Sequence, residues 1–161
     1  RYGRWNGSSW DLRTLAQAGD AGEHSSLGLD AAGRPHIAYY EAWAKDLRYA
    51  RWTGSAWQLQ TVDSEGDVGS YTSLALDSAG RPTVSYYDAT NHTLCFAAWT
   101  GSEWVRQVVD GADDVGSDSS LALDGADHPH VSYLDRAHGH LRFAEQYWVS
   151  AFLPLVAAGG P

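Results

Sequence analysis

One spacing constrains this chain more than any other feature: its key residues return every 47 positions. Trp5, Trp52 and Trp99 mark the step, and so do Trp10, Trp57 and Trp104. Leu27, Leu74 and Leu121 keep it, as do Asp30, Asp77 and Asp124. Pro35, Pro82 and Pro129 follow, with Tyr39, Tyr86 and Tyr133. No insertion or deletion interrupts the register. Each copy is therefore one structural unit, which buries its apolar surface against its neighbours.

One unit reads as four short strands. Ser73–Asp77 alternates apolar and polar residues, as a half-buried strand does. A D-x-x-G-R-P turn follows (Asp77 to Pro82). Thr83–Asp88 is rich in β-branched and aromatic residues, which favour a pleated surface. A short loop leads to Leu94–Trp99. Thr100-Gly101, like Asn6-Gly7 in the first copy, marks a tight hairpin. The fourth strand runs from Trp104 to Val109, and a polar connection of Gly and Asp leads on to the next unit. No segment sustains a helical period with caps. Four antiparallel strands in a repeat of this length predict an all-β protein, a β-propeller of four-stranded blades, with about three and a half repeats present.

The ends break the pattern. Residues 1–25 hold a half blade, 26–72 and 73–119 full blades, 120–147 an incomplete one, and 148–161 a C-terminal tail. In the last copy Gln146 stands where Trp99 stood, and Ala151 stands where Trp104 stood. Three and a half units fall short of the usual four to eight blades. Unpaired strands are templates for association. A homo-oligomer joined through the incomplete blades is one expectation, and a fragment of a longer propeller is the other. The absence of Met, even at position 1, points to a processed or excised chain.

Composition narrows the partners. A net charge of −9 repels phosphate, which excludes nucleic acid as an expected ligand. The apolar run from Trp148 to Ala158 is too short to span a bilayer and contains Pro154. The single cysteine, Cys95, leaves no intrachain disulfide to form and falls where Arg1, Arg48 and Arg142 stand in other copies.

The D-A-A-G-R-P and D-S-A-G-R-P turns, at Asp30–Pro35 and Asp77–Pro82, echo the Asp-box, although its spacing and trailing aromatic differ. With the repeat, they make the chain resemble bacterial extracellular propeller repeats of the sialidase-like, Asp-box-containing kind. That resemblance implies an extracellular or cell-surface location. A sialidase-like glycoside hydrolase would also need an arginine cluster, a tyrosine nucleophile and an acid/base carboxylate converging on one point. The arginines here recur with the blade instead, so a non-enzymatic role is expected.

Propeller lectins hold a shallow site on or between blades, with an aromatic face against the sugar and polar groups at its hydroxyls. The ingredients repeat here as Trp52, Trp99, Tyr40, Tyr87, Arg34, Arg81, Asp88 and Asp135, the expected glycan-binding set. Several weak sites would gain by avidity. The same aromatics serve equally as packing between blades. Asp20, Asp67 and Asp114 sit in Gly-rich connections whose carboxylates and carbonyls can hold calcium, the one cofactor considered. Asp and Gly there can also simply shape the turn. His128 and His130 are separated from His138 and His140 by the length of a strand, roughly 20 Å, too far for one ion.

Overall fold

The computed structural model describes residues 1–16, 20–146 and 156–157. The described residues form strands and turns without helix. β1 (Tyr2–Trp5) and β2 (Trp10–Arg13) make a two-stranded hairpin. β3 (Ala21–Leu29), β4 (Pro35–Glu41), β5 (Asp46–Trp52) and β6 (Trp57–Asp63) form the first four-stranded sheet. β7 (Val68–Leu76), β8 (Pro82–Asp88), β9 (Thr93–Trp99) and β10 (Trp104–Asp110) form the second. β11 (Val115–Leu123), β12 (Pro129–Asp135), β13 (His140–Glu145) and β14 (Val156–Ala157) form the third. All pairings are antiparallel, and each sheet is a meander in chain order.

The sheets stack face to face in sequence order. The first strand of each is innermost and meets the first strand of the next, so β3 packs on β7 and β7 on β11. Leu47, Tyr49, Val68, Leu74, Val84 and Tyr86 form the core of the first junction. Leu94, Phe96, Val115, Leu121, Val131 and Tyr133 form that of the second.

The first strands begin five residues earlier than the sequence alternation predicts, at Val68 rather than Ser73. Their ladder shifts register twice, at the same two places in each copy. The cause is a pair of left-handed residues two apart. Gly22, Gly69 and Gly116 have φ near +110°, and His24, Tyr71 and Asp118 have φ of 48°, 53° and 52°. Each adds a bulge that breaks the two-residue alternation. The Gly- and Asp-rich connection is correspondingly short.

Gly69 cannot be another residue in this packing. A Cβ there would lie 2.8 Å from Leu47 Cα, and one at Gly116 would lie 2.6 Å from Leu94 Cα. The glycine admits the third strand of the preceding sheet.

Buried charge adds order to the stack. Asp63, at the end of β6, accepts a hydrogen bond of 2.7 Å from Tyr86 of the next sheet. Asp110 accepts one of 2.8 Å from Tyr133 in the same way. Burial, with these carboxylates beside them, pushes both phenols well above their ordinary range. An arginine completes each pair. Arg142 reaches Asp110 at 3.1 Å from the third strand. In the second sheet that strand position carries Cys95, and Arg106 reaches Asp63 from the fourth strand instead. Cys95 is buried, which raises its thiol to about 11 and holds it protonated at neutral pH.

The third sheet keeps a fourth strand where the repeat pattern fails. The pair Val156–Ala157 lies against Glu145 and Ala144. The expected strand site at Ala151 falls outside the described residues.

Candidate functional site

The D-x-x-G-R-P turns are rigid because one carboxylate organises each. Asp30 accepts from the amides of Ala32 (2.9 Å) and Arg34 (2.8 Å) and from Arg34 Nε (2.6 Å). The Arg34 amide is the largest influence holding the Asp30 carboxyl down at about 2. Asp77 repeats the arrangement with Ala79, Arg81 N and Arg81 Nε at 3.0, 2.7 and 2.6 Å. Gly33 and Gly80 turn the chain with positive φ. Each arginine is thus fixed through Nε, with Nη1 and Nη2 unpartnered among the described residues.

The W-x-G-S-x-W hairpins divide their two rings between two tasks. Trp104 packs edge-on against Tyr49 at 5.2 Å and donates Nε1 to Gln60 at 3.1 Å, which fastens the second sheet to the first. Tyr2 stands against Trp57 in the same way, at 5.5 Å, so the β1–β2 hairpin occupies the outer half of a preceding sheet's place. Arg13 stands where Gln60 would, and Trp57 Nε1 is left buried without a hydrogen bond. The other rings, Trp52 and Trp99, are half-buried and tilt against their partners at 5.8 and 5.6 Å.

These turns and hairpins enclose a cleft of about 690 Å³ between the first two sheets. Arg34, Arg81, Trp52 and Trp99 line it, with His36 and Arg51. His36 is buried, shares a 2.5 Å hydrogen bond with the Tyr49 hydroxyl, and has its pKa lowered by burial. It is therefore neutral at neutral pH. Two tryptophan rings and two guanidinium groups fixed through Nε sit around one opening, with Arg13 stacked over the Trp52 ring. That combination suits a ligand with an apolar face and several hydroxyls.

The corresponding place between the second and third sheets is bridged. Ser78 donates to Asp127 from its amide at 2.8 Å and from its hydroxyl at 2.6 Å. At the first junction the same two positions are Ala31 and Gly80, which make no such bridge. Gln146 also replaces the second tryptophan there, and His128 replaces the arginine.

Four of the eight expected glycan residues therefore converge on the cleft, and four lie elsewhere. Tyr40 and Tyr87 are buried and donate to Asp67 (2.7 Å) and Asp114 (2.6 Å) of the following connection. Burial raises Tyr40 to about 12. Asp88 caps the β8–β9 turn through the amides of Thr90 and Asn91. Asp135, fully buried, holds the His138 amide at 3.0 Å and Arg142 Nη2 at 2.5 Å.

Two of the three expected calcium carboxylates are engaged by side chains. Asp67 also takes Lys45 Nζ at 2.9 Å, and Asp114 has His92 Nδ1 at 3.8 Å besides its tyrosine. Asp20 contributes its carbonyl to the Ala42 amide at 3.0 Å. Among the described residues, no group of three or more His, Cys, Asp or Glu stands close enough to hold a metal. His138 and His140 stack on each other at 5.7 Å, and His138 pairs with Asp135.

Residues missed by sequence reasoning are His36, Arg51 and the Ser78–Asp127 bridge. His36 had a signal, since His130 recurs at its position. The bridge had one too: Asp127 replaces the turn glycine of the other copies. No protein-family model matches the chain, and no curated protein does. No helix among the described residues is long and apolar enough to cross a membrane.

Proposed function

We propose that this chain is a non-catalytic, extracellular β-propeller module that binds carbohydrate in the cleft between its first two sheets. The observation that carries the reading is the convergence of Trp52, Trp99, Arg34 and Arg81 on one opening. A sugar ring presents an apolar face to a tryptophan and hydroxyls to fixed polar groups, and preformed sites of this kind lose little on ordering. The bacterial, cell-surface setting rests on the resemblance of the repeats alone. The expected outcome on a glycan array is retention of a defined set of glycans by the wild type. Trp52→Ala and Trp99→Ala should each weaken that retention by about tenfold or more, as loss of a central aromatic contact does. Tyr87→Phe, at a residue that does not line the cleft, should leave it unchanged. Silence of the wild type, or equal binding by all three variants, counts against the cleft.

A second reading, self-assembly through the ends of the stack, is favoured by a separate observation. Leu27 is 56% exposed, whereas its equivalents Leu74 and Leu121 are both 8% exposed. At the other end Leu141 is 82% exposed and its equivalent Leu94 fully buried. The terminal sheets each leave one packing face open.

A further inference from the structure

The two open faces are the two halves of an interface that already occurs twice within the chain. At each internal junction the inner strands are joined by hydrogen bonds 48 residues apart. Leu74 N donates to Ser26 Oγ at 3.0 Å, and Leu121 N to Ser73 Oγ at 2.9 Å. The Thr72 hydroxyl donates to the His24 carbonyl, and Ser119 Oγ to the Tyr71 carbonyl at 2.9 Å. Beside this ladder, Gly69 receives Leu47 and Gly116 receives Leu94.

The ladder groups, the receiving glycine and the leucine recur at the ends, whereas Ala157 stands where Asp63 and Asp110 anchor the internal junctions. On the first sheet, Ser25 and Leu27 are exposed, and nothing lies within 4 Å of a Cβ placed on Gly22. On the third sheet Asp118, Ser120, Leu141 and Phe143 are exposed. The repeat step carried across the gap matches them one to one. By that step Ser25 Oγ would face the Asp118 carbonyl, Leu27 N would face Ser120 Oγ, and Gly22 would receive Leu141.

We propose that the open face of β3 is the docking surface for the third sheet of a second copy, seated head to tail in the register of the internal junctions. The inference rests on the self-assembly reading above and adds to it the surface, the polarity and the residue pairs. Its occupant is fixed by continuity with an established interface, since the third sheet displays the same apolar and hydrogen-bonding pattern that β3 lacks. The contact is heterologous, so copies join into a ring or a filament.

β1 and β13 hold the same place in the repeat, so one yields on docking. β13 keeps six residue pairs with β12, whereas β1 and β2 form a two-stranded sheet of four pairs held to the first sheet by Tyr2 against Trp57 and Arg13 over Trp52. Such a hairpin is marginal alone. It is therefore displaced, and Phe143 of the second copy takes the seat of Tyr2 against Trp57.

The test combines light scattering at micromolar concentration with directed cross-linking. The wild-type mass is expected at two or more chains. Leu27→Glu and Leu141→Glu, at side chains exposed in one chain, should each reduce it to one chain with an unchanged circular dichroism spectrum. Oxidation of a mixture of Leu27→Cys and Ser120→Cys chains should give a cross-linked pair, and neither variant should cross-link alone. A wild-type mass of one chain overturns both this inference and the self-assembly reading. A larger mass in which Leu27→Cys cross-links to itself overturns the head-to-tail register and leaves self-assembly standing.

Discussion

Single side chains decide where this repeat is rigid and where it is open. The Tyr86 hydroxyl and Arg106 together satisfy the buried Asp63 carboxylate. Tyr86→Phe removes one donor to a buried charge, and is expected to cost about 1.5–3 kcal/mol in urea denaturation. Asp30, in its D-x-x-G-R-P turn, and Asp124, at the same place in the last copy, set the acid limit. Asp30 and Asp124 are held near 2, below their ordinary value of 3.8. Their folded-state pKa is depressed, so the stability they add is complete above about pH 4 and is lost as pH falls through about 2. A melting temperature that is level from neutral pH to about 4 and then declines is the expected profile, read by circular dichroism. At this scale the candidate site was half legible. Trp52, Trp99, Arg34 and Arg81 repeat in register and meet in space. Tyr40, Tyr87, Asp88 and Asp135 repeat as faithfully, but their hydrogen bonds point inward. Repetition marks what a blade needs, and only packing separates a residue that faces the cleft from one that locks a turn.

Strands two and three of each unit, and the fourth strand of the first two sheets, follow their sequence signals closely, because alternation and a two-residue turn act locally. The first strands do not. Their paired left-handed residues interrupt the alternation, and the reason lies in the neighbouring sheet. Gly69 has φ of 109° and must also leave room for the Leu47 backbone. Gly22 shares the φ, at 110°, but has no such neighbour within its own chain. Gly69→Ala should therefore lose about 1–3 kcal/mol to crowding beyond the backbone strain of about 1–2 kcal/mol. Gly22→Ala should show the strain alone when the chain is measured singly. Equal losses in thermal denaturation would mean that the third strand of the preceding sheet does not press on the glycine. The fourth strand of the last sheet was likewise not legible, since Val156 and Ala157 carry no trace of the W-x-G-S-x-W pattern.

At the scale of the molecule, a stack of like sheets acquires function where its copies differ. Two junctions are built on the same core positions, yet Ser78 and Asp127 bridge one and Ala31 and Gly80 leave the other open. The bridge is transferable. Gly80 has φ of 75° and no atom within 4 Å of a built Cβ, and Asp127 holds the equivalent place at φ of 65°. Aspartate tolerates that backbone better than most residues. The double substitution Ala31→Ser with Gly80→Asp should thus draw the first junction together as the second is drawn. The most direct measurement is a calorimetric titration of the glycan best retained on the array into the wild type and this variant. One site per chain is expected in the wild type and none in the variant, with the melting temperature kept. Undiminished binding by a folded variant, or a wild-type stoichiometry of one glycan per repeat, would contradict that expectation.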